Sequence, residues 1–305
     1  MVLSACNPVI DEITNSGPPP TACVITEPVA QPAVQQTKAV HVLVDRSPSF
    51  SHLTDDSLEL VAGFVTVAAS PGDRFVFGWI SDDPNQPVET FFNEEVPFVT
   101  PPEIGDFPTP TPVVCGGLTT IQCQRARRAE VTELPVAICD LENQKREART
   151  QLADWNQEQA TLIETFHESA RTTVNEQNPD HPPGTLITEA LYRAGRSLEG
   201  FLIGGQQSAY LVIFSDLEES RSPTSPLGPL PLQLEGVDVI VAMFNCSGTQ
   251  DVKDRVATEP QVCERHRTRW EPIFLSASAA SVRFLTLEAS TVSTLAELVS
   301  ESDDV

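Results

Sequence analysis

Basic side chains are scarce in this chain: 19 Lys and Arg stand against 43 Asp and Glu, a formal net charge of −24 over 305 residues. Holding a phosphate backbone or an anionic bilayer takes clustered Lys and Arg that displace counterions, so the balance argues against nucleic acid and anionic lipid as partners. The one basic run, Arg125 to Arg128, is three arginines and an alanine and reads as the solvated start of a helix. Long apolar runs are missing too. Crossing a bilayer takes about 20 consecutive apolar residues, and a stretch such as Val237–Phe244 has only the length of a strand. No Gly-x-Ser-x-Gly elbow, Walker phosphate loop or Gly-x-Gly-x-x-Gly after a strand-like run is present, which removes the commonest hydrolase, nucleotide and dinucleotide signatures. The chain is therefore not expected to be an enzyme. The acidic excess suits solubility, divalent-cation affinity or a basic partner without choosing among them.

What is present is clustered. Twenty-six prolines gather in segments. Residues 1–38 read as an N-terminal segment and a Pro-rich linker, with Gly17-Pro18-Pro19-Pro20 and no helical or strand period. From Ala39 the pattern changes. Ala39-Val40-His41-Val42-Leu43-Val44 is a continuous apolar run, as expected of a strand buried on both faces of a parallel sheet. A helix from Thr54 to about Ala69, a strand over Arg74–Ile80 and a short edge strand over Val88–Phe92 follow. Strand runs recur at Ala209–Phe214, Val237–Phe244 and Val282–Leu287, with helices expected over Glu189–Leu202, Val262–Ala277 and Thr291–Ser300. Strand and helix in this rhythm predict an α/β fold, doubly wound around a mostly parallel sheet, over residues 39–300. Residues 96–183 interrupt it with a Pro-rich loop and a long helical insert from about Arg125 to Asn175. On that insert Leu141, Ala148, Leu152, Trp155, Gln159, Leu162, Phe166 and Ala170 make an amphipathic stripe. The insert either packs on the flank of the domain or projects as an arm. Residues 301–305 form an acidic tail.

Seven cysteines bear on location. Leu3-Ser4-Ala5-Cys6 resembles the bacterial lipobox, which implies lipidation of Cys6 and a lipid-anchored protein, although a basic n-region and an apolar h-region are absent ahead of it. Six cysteines then remain, an even number suited to pairing in an exported protein. Cys115 with Cys123 and Cys246 with Cys263 are the pairings that local spacing suggests, among 15 possible connectivities. Cys263-x-x-His266 has the spacing of a zinc half-site, but no second pair completes it. An exported location in a bacterial envelope is expected ahead of the cytoplasm.

The chemistry gathers at Asp45-Arg46-Ser47-Pro48-Ser49, directly after the first strand run. Ligands of an open parallel sheet collect beyond the strands' C-terminal ends. A carboxylate with hydroxyls at +2 and +4 offers hard oxygen donors of the kind Mg²⁺ or Ca²⁺ takes. Gly72–Phe77, Gly184-Thr185-Leu186-Ile187-Thr188-Glu189-Ala190-Leu191 and Leu211–Asp216 follow in order. Together these runs resemble the von Willebrand factor type A family and its metal-ion-dependent adhesion site, over about 38–95 and 184–300. The resemblance implies a Rossmann-like domain in which Asp45, Ser47, Ser49, Thr185 (with Thr188 as the alternative) and Asp216 hold Mg²⁺, or Mn²⁺ or Ca²⁺. It also implies a protein partner whose acidic side chain completes the cation's shell. Two features depart from the family: Leu217 stands where it often has Gly, and the insertion before Thr185 is unusually long. The expected function is thus cation-dependent protein binding. A structural or assembly subunit contacting partners through the helical insert is the alternative, and a metal-assisted hydrolase a second one. His41, His167 and His181 lie in the strand, the insert and a Pro-flanked loop, and only His52 falls near the site. Asp45, Asp55, Asp56, Asp82, Asp83, Asp216, Glu218 and Glu219 are expected to form an acidic rim there.

Overall fold

The computed structural model describes residues 23–32, 36–83, 85–111, 113–178, 184–205, 207–218 and 232–300. The lipobox-like Cys6, His181, Glu219 and the tail 301–305 lie outside the described residues. The chain forms two compact units, one of residues 1–33 and 100–156, the other of 34–99 and 157–305.

The larger unit is an α/β fold. Its strands are β1 (Lys38–Asp45), β2 (Arg74–Ile80), β3 (Val88–Glu95), β4 (Ser208–Phe214), β5 (Val237–Ala242) and β6 (Ser281–Phe284), in sheet order β3-β2-β1-β4-β5-β6. All pairings are parallel except that of β3, which runs antiparallel along β2 with a bulge at Phe77/Gly78. The α-helices among the described residues are α1 (Thr54–Ala68), α2 (Thr120–Asn175), of which residues 120–156 belong to the smaller unit, α3 (Ile187–Ile203), α4 (Gln250–Lys253), α5 (Glu259–Ser276) and α6 (Val292–Ser300). α2 begins five residues before the Arg125 expected from sequence, and β6 stops at Phe284 instead of Leu287.

The pleat sorts each strand's side chains between two cores. From β1, Val40, Val42 and Val44 join α1, α6 and the α2 residues Phe166, Ala170 and Val174. Ala39 and Leu43 point the other way, into α3 and α5. Phe166 meets Phe75 and Phe92 at ring distances of 5.9 and 5.7 Å, so the 157–175 part of α2 covers the β2–β3 edge. Each such fully buried Phe contributes about 2–3 kcal/mol of burial free energy. The order 3-2-1-4-5-6 reverses between β1 and β4, and the crevice beyond their C-terminal ends is where an open α/β sheet binds ligands.

In the smaller unit a disulfide joins Cys23 to Cys139, a pairing the sequence did not suggest. The Thr26 amide and hydroxyl donate to Glu142 (3.1 and 2.5 Å), and Lys145 Nζ donates to Glu142 and to the Thr26 carbonyl, both at 2.9 Å. The Thr26 hydroxyl first, then Lys145, holds the Glu142 carboxyl down at about 2. Cys115–Cys123 staples the loop that leads into α2.

Candidate metal centre

β1 and β4 end side by side, with Val44 opposite Phe214, and each delivers a carboxylate into the crevice. Asp45 is fully buried, its Oδ1 accepting from the Ser47 amide at 2.8 Å and its Oδ2 from the Ser215 hydroxyl at 2.7 Å. That first bond curls the chain after β1 into a turn, which sets Ser47 Oγ 3.0 Å from Ser49 Oγ. Asp216, also fully buried, accepts from the Glu218 amide at 2.8 Å through Oδ1, while its Oδ2 has no hydrogen-bond partner. Thr185 lies on the loop entering α3. The next residue ties that loop to the end of β2 through Leu186 N–H to the Ser81 carbonyl at 3.0 Å, and Ile80 is the register partner of Asp45. Thr185 is fully buried with its hydroxyl unpartnered, whereas Thr188 is half-buried within α3. Three loops, one after each of β1 and β4 and one before α3, thus carry the expected donors to the same edge of the sheet.

The electrostatics of this arrangement are unfavourable on their own. Burial pushes the Asp216 carboxyl up to about 7, the charge of Asp45 adds to this, and the nearby Ser49 hydroxyl only partly offsets it. Asp45 is raised as well, by burial against the hydrogen bonds of Ser215 and Ser47. Arg46, next to Asp45 in sequence, is engaged by Glu89 at 2.7 Å and stacks on Trp79. A buried polar atom without a partner costs about 1–3 kcal/mol, and two adjoining buried carboxylates cost more unless a positive charge joins them. The orphaned Thr185 Oγ1 and Asp216 Oδ2, together with the paired Ser47 and Ser49 hydroxyls, are hard oxygen donors of the kind that fits a small divalent cation. Among the described residues no three His, Cys, Asp or Glu side chains converge on a metal position. A site of two carboxylates and three hydroxyls is of a different kind.

Two surrounding features were not read from sequence. Leu217 adopts φ +57°, the left-handed region that favours glycine. The loop thus follows a glycine-like path without the glycine. It is clamped from α5, where His266 Nδ1 lies 2.7 Å from the Asp216 carbonyl and Trp270 Nε1 donates to the Leu217 carbonyl at 3.0 Å. The loop after β5 leans on the other side: a Cβ on Gly248 would overlap the Ser49 carbonyl, and His52 Nε2 lies 3.0 Å from Ser247 Oγ. Cys246–Cys263 bonds that loop to α5. The bond also takes the Cys263 thiolate out of the zinc half-site, whose His266 is committed to the Asp216 carbonyl. Both locally expected disulfides are present, and the three disulfides among the described residues are characteristic of an oxidising compartment outside the cytoplasm. No described helix is long and apolar enough to cross a membrane.

Of the acidic rim, Asp55, Asp56 and Asp83 are exposed, Asp82 and Glu218 half-buried, and Asp45 and Asp216 buried. The Glu218 charge further raises the carboxyls of both buried aspartates. His41 sits within β1, away from the strand ends, and burial lowers its ring to about 4.

No protein-family model matches the chain, and no curated protein matches it. Among the solved structures that are distantly similar are the following two. Proximal thread matrix protein 1 from the mussel byssus shares 12% identity over 88% of this chain and 48% of its own, with a TM-score of 0.35. An aerotolerance-related membrane protein from Bacteroides fragilis shares 12% identity over 86% of this chain and 96% of its own, with a TM-score of 0.37. The chain thus spans about half the length of the mussel structure. The fold assignment rests on the strand order and register above.

Proposed function

We propose that this chain is a von Willebrand factor type A-like binding module in which a divalent cation, Mg²⁺ or alternatively Mn²⁺ or Ca²⁺, joins it to an acidic side chain of a protein partner. The observation that carries the reading is the pair of buried, unpartnered oxygens, Thr185 Oγ1 and Asp216 Oδ2, on two of the loops at the sheet edge where the strand order reverses. Ser47, Ser49, Thr185 and Asp216 would hold the cation. Asp45 supports them by fixing the Ser47 turn and the Ser215 hydroxyl. When bound, the ion would supply a positive charge that the Asp216 carboxylate offsets only in part and the three neutral hydroxyls do not offset, and an oxygen-ligand position open to a partner carboxylate.

The two histidines nearest the site favour binding over hydrolysis, since His266 is held at the Asp216 carbonyl and His52 at Ser247, leaving neither as an evident general base. The three disulfides support export, and Cys6 as a lipidation site fits the same compartment. A displayed library of acidic and neutral peptides, selected on the immobilised chain in Mg²⁺, tests the reading. Peptides rich in Asp or Glu should be enriched, released by chelator and not bound by Asp216→Asn. Enrichment that chelator leaves intact would remove the cation from the account.

A further inference from the structure

Exposed apolar side chains are unevenly distributed. Among the described residues, eight of the fifteen large ones belong to the smaller unit, and five of these, Val113, Val114, Leu118, Ile121 and Val131, lie on the stapled loop or the first turns of α2. Val114 is 85% and Ile121 65% exposed. The loop is rigidly held, by Cys115–Cys123 at one end and by the Val113 amide donating to Glu130 Oε1 at 3.2 Å along the helix. Thr119 and Gln122 bond each other at the helix start, with the Thr119 amide and hydroxyl both 3.0 Å from Gln122 Oε1. Arg125 and Arg128 follow Ile121 at helical spacings of four and seven, and with Arg127 all three arginines are exposed. Residues 113–131 contain these three arginines and one acid, Glu130, a local charge of +2 in a chain of −24.

We propose that this stapled loop and the first turns of α2 are a docking surface for an anionic membrane. Aliphatic side chains flanked by arginines match both layers of a bilayer boundary, the acyl region and the negative headgroups. The −24 of the whole chain works against this at long range, and salt screens charges beyond about 10 Å, so at contact the local +2 is what a headgroup meets. Connectivity points the same way. Cys23 is bonded to Cys139 in this unit and lies 17 residues after Cys6, a span of at most about 60 Å when extended, so a lipid on Cys6 would hold this unit at a bilayer. Lipid and basic apolar surface would then be the two signals that stable anchoring needs.

The test is flotation of the full, unlipidated chain with vesicles of phosphatidylcholine alone or mixed with phosphatidylglycerol. Binding only to the mixed vesicles, weakened by salt, is expected. Each arginine exchanged for glutamine should weaken it about fivefold, and the Arg125→Gln, Arg127→Gln, Arg128→Gln triple variant roughly a hundredfold. Val114→Ser with Ile121→Ser should also abolish flotation, and because these side chains are exposed, circular dichroism should be unchanged. Equal binding to both vesicle types, no binding by the wild type, or binding indifferent to both variants overturns the proposal. So does a concentration-dependent dimer in sedimentation equilibrium that the Val114/Ile121 variant abolishes without any vesicle binding, which would give the surface to a second copy.

Discussion

Replacing Asp216 with Asn should make the cation-free protein more stable and the cation irrelevant to it. The folded environment moves this carboxyl from 3.8 to about 7, chiefly by burial and then by the neighbouring Asp45 charge. Ionising the carboxyl in this setting costs the folded state roughly 2–4 kcal/mol, after local water entry and relaxation are allowed for. The sign follows from proton binding. Between pH 4 and 7 the folded state keeps a proton that the unfolded state has lost, so stability from this group is full below pH 4 and declines as pH rises to about 7. Asn keeps the volume and an acceptor for the Glu218 amide but cannot ionise. In chelator at pH 8 the variant should therefore melt roughly 5–10 °C above wild type. Saturating Mg²⁺ should raise the wild type, by about 2.7 kcal/mol at a hundred times its Kd, and leave the variant unmoved. Scanning calorimetry of both proteins with and without Mg²⁺ measures all four values. A variant that melts lower than wild type in chelator, or that Mg²⁺ stabilises equally, refutes the electrostatic reasoning.

Other perturbations separate the parts of the site. Leu217→Gly relieves about 1–2 kcal/mol of left-handed strain but removes a buried side chain worth about 2–5 kcal/mol, so urea unfolding should show a net loss of roughly 1–3 kcal/mol. Its cation affinity should survive, because the backbone path is kept; a stabilised variant would contradict this weighing. Gly248→Ala drives a Cβ into the Ser49 carbonyl, and calorimetric titration should show cation affinity at least about tenfold weaker, with a destabilisation of about 1–3 kcal/mol. Unchanged affinity would mean that the loop after β5 does not brace the site. Cys246→Ser with Cys263→Ser opens a 17-residue loop and should cost about 3 kcal/mol in denaturant unfolding; a loss below about 1 kcal/mol would count against the bond as a brace.

The layout of the sheet was legible because β1, β4 and β5 are buried on both faces and therefore read as near-continuous apolar runs, interrupted inside only by His41 and Asp238. The candidate donors were legible because each stands at the end of such a run or at the start of a helix, where the topology itself opens a crevice. Spacing already put Thr185 ahead of Thr188, and what it could not supply is that the Thr185 hydroxyl is buried without a partner. Cys23–Cys139 spans 116 residues, and nothing in local spacing selects it among the possible pairings. Leucine carries no sign of a positive φ, so the path at Leu217 becomes visible only with the Trp270 and His266 clamps that hold it. Gly248 likewise reads as an ordinary loop glycine until its tertiary neighbour is known. The basic run at Arg125 read as mere solvation because the exposed valines and Ile121 beside it are a property of the folded surface.

The central claim is that Ser47, Ser49, Thr185 and Asp216 hold one divalent cation. Titrating Mn²⁺ into chelator-stripped protein, with free ion followed by electron paramagnetic resonance, measures this directly. One Mn²⁺ per chain, displaced by Mg²⁺ and lost in both Thr185→Ala and Asp216→Asn, is the predicted result. No bound Mn²⁺ at millimolar ion, or a full equivalent retained by both variants, would contradict it.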